Sequence, residues 1–549
     1  MGEGRRRGDT TWRRLRLSRR VVQVAALALF VVLLFSGLQR RDPLPWTDLF
    51  FRFDPLTALA TMVAAREWLE RLAWALVTVA VTVAVGRVWC GWICPLGTLL
   101  GWFRFGTARR LEARVPPRLR VTKYVLLLAI AGMAAFGVLT LLVLDPITIL
   151  TRTATASLLP AFDYLVTEAQ RLALQWPALD PVVDWVDTTF RGSVLPVTPP
   201  RFQQSLVILL VFLAIVALNL LADRFWCRYL CPLGALLGLI AKVQVLRPLV
   251  GSACSRCGPC ADSCRLGAID LPDEGGVRVT SSECTMCLDC LVACPSAGVM
   301  GVGRDVPTGP WRAYDPGRRT LLAAGAGGLA AGALLAVGVR PAEADPRLLR
   351  PPGAQDEAAF LSRCLRCSEC MKACPTSGLQ PTLGQAGIEG FWTPVLVPRI
   401  GYCDHGCAAC GQVCPSGAIP PLPLDEKRRQ VIGVAVIDQT RCLPWAENTP
   451  CIVCQEMCPV PQKAIRLAGQ GRGGGGGLGL GQGQGLGQGD GTHLGDTGGD
   501  ALGDGLTQDD LAERVARPKV VGELCIGCGI CETKCPVEGV SAIVVRRRP

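Results

Sequence analysis

Histidine is nearly missing from this 549-residue chain, which has only His405 and His493. No apolar segment carries one, so a membrane haem b held by paired imidazoles is excluded. A histidine-rich zinc site is excluded for the same reason. Charge is sparse too, at 19% Asp, Glu, Lys and Arg against 50% hydrophobic residues, with a mean hydropathy of +0.34 and a net charge of +12. That balance departs from a purely soluble protein, and the length allows about three or four domains. The abundant residue is cysteine, at 28. A disulfide-stapled secreted scaffold is excluded, because such chains are short and carry no long apolar runs.

Twenty-four of the 28 cysteines form six quartets. Four have the spacing C-x2-C-x2-C-x3-C: Cys254, Cys257, Cys260 and Cys264; Cys284, Cys287, Cys290 and Cys294; Cys364, Cys367, Cys370 and Cys374; and Cys525, Cys528, Cys531 and Cys535. Two are stretched at the first gap: Cys403, Cys407, Cys410 and Cys414, then Cys442, Cys451, Cys454 and Cys458. Proline follows the last cysteine in five of the six, Arg265 being the exception. This is the bacterial ferredoxin spacing for [4Fe–4S] clusters, so these cysteines are the expected iron ligands of six clusters. Three close cysteines wrap one cubane, and the fourth reaches the neighbouring one. In the first pair of quartets, one cluster should use Cys254, Cys257, Cys260 and Cys294, the other Cys284, Cys287, Cys290 and Cys264. Zinc or disulfide bonding would suit a single C-x2-C but not six such quartets.

The remaining four, Cys90, Cys94, Cys227 and Cys231, lie in the apolar half of the chain. Four apolar runs there, Val21–Leu38, Leu72–Val85, Tyr124–Leu144 and Ser205–Ala222, approach the roughly 20 residues that cross a bilayer. They predict an all-α transmembrane bundle. Eight arginines in residues 1–20 and eight basic residues in 87–123 place those segments on the cytoplasmic side by the Lys/Arg bias. The outward loop 39–71, with five arginines, fits that rule less well.

An internal repeat organises the bundle. The fifteen residues from Arg87 to Gly101 match those from Arg224 to Gly238 at ten positions, including both C-x3-C-P-L-G motifs. Upstream, Asp54-Pro55-Leu56-Thr57 matches Asp145-Pro146-Ile147-Thr148. The expectation is two parallel helical hairpins about an axis normal to the membrane, with the two cysteine pairs near one another on the cytoplasmic side. The pairs suit a redox dithiol, a four-thiolate metal site, a quinol-site lining or a simple helix break. Each Asp-Pro suits a helix N-cap followed by proline at N1, or a proton acceptor at the outer surface.

The chain then divides into a basic N-terminus (1–20), the membrane domain (21–243), a two-cluster ferredoxin of α+β type (244–305), a segment 306–344, and a four-cluster ferredoxin domain (345–549) holding a Gly-rich linker (469–505). Segment 306–344 carries Arg318-Arg319, a Gly/Ala-rich apolar stretch to Val339 and Ala342-Glu343-Ala344. These are the parts of a twin-arginine export signal, with cleavage after Ala344, or else of a fifth membrane helix. Either places 345–549 outside. The linker composition builds no core.

Residues 21–305 resemble the NapH/MauN family of membrane ferredoxins, on the C-x3-C-P-L-G repeats and the two following quartets. Residues 318–549 resemble the NapG/MauM ferredoxin family, on Arg318-Arg319, the Cys364–Cys370 motif, Arg441-Cys-Leu-Pro-Trp445 and the Cys525–Cys531 motif. The resemblance implies a fusion of the two: a multi-pass protein of the bacterial inner membrane, a quinol dehydrogenase component drawing on the quinone pool and serving a periplasmic oxidoreductase. The Tat translocase would be its exporter, and no nucleic acid is involved. The long Gly-rich insert departs from the family pattern and loosens the link to the last quartet. The rival reading is an assembly or maintenance factor that uses the membrane thiols to mature a metalloenzyme.

Overall fold

The computed structural model describes residues 3–103, 115–192, 194–271, 277–296, 299–304, 318–338, 345–468 and 515–548. The Gly-rich linker 469–505 and Ala342-Glu343-Ala344 lie outside the described residues.

Numbering helices of eight residues or more, the apolar half contains α1 (Glu3–Ser36), α2 (Pro55–Ala65), α3 (Ala75–Val85), α4 (Pro95–Trp102), α5 (Val121–Ala135), α6 (Pro146–Thr153), α7 (Leu159–Ala173), α8 (Asp180–Phe190), α9 (Ser205–Ala217) and α10 (Pro232–Ile240). Four of them start in one way. Proline stands at the first position, and the residue before it accepts backbone N–H bonds. Asp54 caps α2, Cys94 caps α4, Asp145 caps α6 and Cys231 caps α10. Proline costs nothing there, because its missing N–H would have no helical partner anyway.

The repeat is visible in this order, but the elements differ from two plain hairpins. Each repeat has a short Asp-Pro helix (α2, α6), an apolar helix (α3, α9), a wide π-type turn (Trp89–Ile93, Trp226–Leu230) and a short Cys-Pro helix (α4, α10). Among the described residues, Thr10–Ser36 is the one helix long and apolar enough to cross a membrane. The other expected spans are shorter. Gly86 (φ +83°) ends α3, and Gly137 (φ +78°) turns the chain after α5 into a 3-10 turn at Thr140–Leu144. Glycine takes these left-handed angles without a Cβ penalty, so the helix stops although the hydropathy continues. The basic N-terminus is not a separate segment either; it runs into α1.

Two ferredoxin-type modules sit at opposite ends of α5. The first is built on the antiparallel pairs β1 (Leu246–Val250) with β4 (Met300–Arg304) and β2 (Ile269–Asp270) with β3 (Arg278–Val279). It meets the start of α5 through Lys123 and Glu283, 2.6 Å apart. The second has three antiparallel pairs: β5 (Leu379–Pro381) with β6 (Pro394–Leu396), β7 (Val434–Ile437) with β10 (Ile543–Arg546), and β8 (Ile465–Ala468) with β9 (Arg517–Val520). It lies beyond the end of α5, where Gly137 approaches Ser362. It is fixed there by Gln39 N donating to Lys372 O (2.9 Å), by Arg363–Glu67 (2.7 Å) and by Gln204 Nε2 donating to Pro381 O (2.8 Å).

α11 (Arg318–Gly338) runs between the modules, parallel to α5, with Gly328 against Ala129 and Gly332 against Met133. A Cβ on Gly328 would stand 2.7 Å from the Ala129 Cα. Gly328→Leu should therefore force the helices apart and cost about 1–3 kcal/mol. Denaturant unfolding of the detergent-solubilised chain measures this, and an unchanged midpoint would show that the seam carries no packing.

Candidate metal centres

The six quartets do not close on themselves. In the first module a cavity of about 350 Å3 gathers Cys284, Cys287 and Cys290 with Cys264. Cys260 has Cys254 and Cys294 as neighbours. In the second module Cys364, Cys367 and Cys370 all face Cys414. Cys403, Cys407 and Cys410 line a cavity of about 30 Å3 with Cys374. Cys442, Cys451 and Cys454 share one of about 30 Å3 with Cys535, and Cys525, Cys528 and Cys531 one of about 20 Å3 with Cys458.

The local cause is visible in the backbone. In the four regular quartets the residue two after the first cysteine and the one after the second are left-handed: Arg256 and Gly258, Met286 and Leu288, Arg366 and Ser368, Gly527 and Gly529. Such turns point successive N–H groups inward. A one-turn helix then follows, such as Pro259–Ser263 or Glu369–Ala373, and carries the fourth cysteine away from its own loop. Backbone N–H groups reach sulfur at several sites: Met286 N to Cys284 Sγ (3.4 Å), Ala268 N to Cys264 Sγ (3.2 Å), Ala464 N to Cys458 Sγ (3.4 Å) and Ala435 N to Cys525 Sγ (3.4 Å). Among the described residues no three Cys, His, Asp or Glu side chains close on a single ion, so the thiols stand wider apart than a mononuclear centre needs. Burial pushes Cys403 up to about 11 and Cys284 and Cys528 up to about 12. Metal coordination would deprotonate them outright. The residues therefore fit [4Fe–4S] clusters.

Sites in the second module follow one another from the helical domain. Cys367 is buried in the same core as Leu56 and Ile147. Farther along, Cys403 N donates to Cys528 O at 2.8 Å, joining two neighbouring sulfur sites.

The repeat brings its own residues together. Cys94 and Cys231 are buried in one core with Cys90 and Cys227 packed against it. At the other end, Asp54 and Asp145 are both 0% exposed and contact each other, while each caps its helix: Asp54 from Leu56 N (2.8 Å), Asp145 from Ile147 N (3.0 Å) and Thr148 N (2.9 Å). The capping role is thus present in both; their meeting is a product of the fold.

Sequence reasoning missed the charged groups under the first module. Glu283 (1% exposed) takes Lys123 Nζ on both oxygens, at 2.6 and 2.7 Å, with Arg87 at 3.6 Å. Burial alone would raise this carboxyl, but Lys123 and Arg87 outweigh it and hold it below the usual carboxylate range. Asp289 receives Arg16 (3.0 Å) and Arg19 (3.4 Å). The identical places of Arg87 and Arg224 in the two repeats were the available signal.

Comparison with known proteins agrees with the sulfur chemistry. A family model described as a 4Fe-4S binding domain matches residues 68–112 and 204–251, and a second of the same description matches 518–541. Protein NirI of Paracoccus denitrificans is 28% identical over 42% of this chain and 28% of its own length. No solved structure matches. The ferredoxin-type protein NapG of Escherichia coli is 33% identical over 39% of this chain and 77% of its own length. The methylamine utilization ferredoxin-type protein MauM of Methylorubrum extorquens is 32% identical over 43% of this chain and 90% of its own length. With most of both MauM and NapG spanned at this identity, the chain belongs to the MauM/NapG family of ferredoxin-type proteins.

Proposed function

We propose that this chain is a membrane-bound iron–sulfur electron-transfer protein that takes electrons from quinol and delivers them to an oxidoreductase on the far side. In this reading a NapH/MauN-type half is fused to a NapG/MauM-type half. One observation carries the quinol assignment. The cavity at Cys264, Cys284, Cys287 and Cys290 holds about 350 Å3, whereas the cavities at three other sulfur sites hold about 20–30 Å3. The excess is room for a ring beside the sulfur site. Its walls combine apolar side chains (Val24, Trp102, Leu266, Met286) with polar and charged ones (Gln23, Thr98, Arg224, Arg265, Glu283), and such a mixture can bury a ring while orienting its polar groups. Arg19, Arg20 and Gln23 come from the basic end of α1, the helix long enough to cross the membrane. In this reading the cavity would meet the membrane where a quinol headgroup rests.

Clusters bound at the six sites supply one-electron carriers for the two electrons that quinol releases on oxidation to quinone. The chain's residues do the rest. The interlocked quartets (254–294, 364–414, 442–535) hold the sites in fixed order, and burial keeps water from several of the sulfurs, those of Cys364, Cys367 and Cys370 among them, whereas Cys257 is exposed. The Lys123–Glu283 pair fixes the first module over the cavity. The basic residues of α1 favour a cytoplasmic first module; α11, opened by Arg318-Arg319, would lead the second module out through the Tat route into the periplasm.

Thr98→Trp should fill the cavity without replacing a cysteine, at the loss of the bond that Thr98 Oγ1 donates to Cys94 O (3.1 Å). In anaerobic vesicles, quinol-driven bleaching of cluster absorbance is expected to slow about tenfold or more, since tenfold corresponds to only about 1.4 kcal/mol of lost binding. Dithionite should bleach wild type and variant equally. Wild-type clusters that stay oxidised under excess quinol would end the quinol reading.

A further inference from the structure

The two segments matched by the 4Fe-4S binding model, 68–112 and 204–251, contain only two cysteines each: Cys90 and Cys94 in one, Cys227 and Cys231 in the other. Two thiols do not hold such a cluster; four do. We propose that Cys90, Cys94, Cys227 and Cys231 together ligate one further iron–sulfur cluster, shared between the two repeats and distinct from the six ferredoxin-type sites.

Several independent features of the fold lead there. The four residues occupy one core, at the same end of the helical domain, and their thiols lie within electrostatic reach of one another. The sulfurs of Cys94 and Cys231 accept backbone N–H bonds from Gly97 (3.4 Å) and Gly234 (3.2 Å). The ferredoxin thiols accept theirs at the same distances. The wide turns Trp89–Ile93 and Trp226–Leu230 hold Cys90 and Cys227 and end on Cys94 and Cys231, each at the start of a helix, where N–H groups favour negative charge.

Compensating charge crosses between the repeats. Arg224 of the second repeat donates to Cys90 O (3.1 Å) and Gly97 O (2.6 Å) of the first. Arg87 of the first lies over Gly234 of the second, with Nη2 2.7 Å from where a Cβ would stand. Only glycine admits this approach, and both repeats have it. Four thiolates around iron leave a net negative charge, and two buried guanidiniums on opposite sides are its natural counterions. The close approach of thiols that a single zinc needs is absent among the described residues, as it is at the six ferredoxin-type sites. Gly97 and Arg224 also line the cavity that holds Cys264, Cys284, Cys287 and Cys290, so this site directly underlies the first module.

Such a cluster does not require quinol as the substrate. The test uses the full chain purified anaerobically in detergent. Cys94→Ser/Cys231→Ser keeps a capping side chain at both helices, because serine is a good N-cap. Iron and acid-labile sulfide per chain should fall by one cluster's content, and one paramagnetic signal of the reduced protein should vanish while the rest persist. Unchanged iron and sulfide in that variant would overturn the proposal, and so would zinc in place of iron at this site. Should the variant fail to fold, the wild type decides. Ligated thiolates resist maleimide, so stoichiometric labelling of Cys90 and Cys227 in the loaded, native protein would equally overturn it.

Discussion

Cys374→Ser should empty the sulfur site built on Cys403, Cys407 and Cys410 while leaving the site of its own motif, Cys364, Cys367 and Cys370, loaded. Cys374 lines the small cavity of the later quartet, not of its own. Its own three partners face Cys414 instead. The reciprocal variant, Cys414→Ser, should therefore empty the earlier site. Each change removes one of four ligands from a group whose binding is also folding energy, so loss of a whole cluster, not a small shift, is expected. Redox titration followed by electron paramagnetic resonance separates the cases, since each site loses its own signal. If Cys374→Ser and Cys364→Ser erase the same signal, the quartets close on themselves and the interlocking is wrong. The same logic pairs Cys535 with Cys442 and Cys458 with Cys525, across the Gly-rich tract.

Glu283→Leu should detach the first module from the helical domain. Lys123 is 0% exposed and Glu283 1%, at 2.6 Å, with Arg87 at 3.6 Å and 1% exposed. Removing the carboxylate leaves Lys123 buried without its counter-charge. Breaking a buried pair in this way costs about 3–5 kcal/mol, whereas replacing both partners by apolar residues is often neutral. Lys123→Met/Glu283→Leu should therefore recover much of the loss. Arg87 keeps its bond to Ser282 O (2.8 Å) in both variants. Denaturant unfolding and limited proteolysis within 244–304 read the effect. A single variant within about 1 kcal/mol of wild type would place the pair among ordinary surface bridges.

The two expected results differ in how far the sequence alone reaches them. The thiol spacing within each of the four regular quartets is local, and so are the left-handed turns it requires; a stretch of eleven residues suffices. The same holds for the X-Pro starts at Asp54, Cys94, Asp145 and Cys231, because a cap bonds N–H groups two or three residues ahead. The repeat is legible because its two copies match residue by residue. Thus the kind of sulfur site, the capped helix starts and the doubling of the helical half were determined by the sequence itself.

Helix ends were less legible. Hydropathy runs on through Gly86 and Gly137, while backbone angles that glycine alone takes easily break the helices there. Partner choice was not legible at all. Lys123 and Glu283 are 160 residues apart, and Arg224 and Gly97 127 apart; no periodicity names such partners. In the second module, which fourth cysteine serves which loop depends on how one-turn helices carry it across to a neighbouring quartet. Only the tertiary structure decided these matters, because contacts between distant segments depend on how the elements pack, and spacing along the chain records only what a residue's near neighbours need.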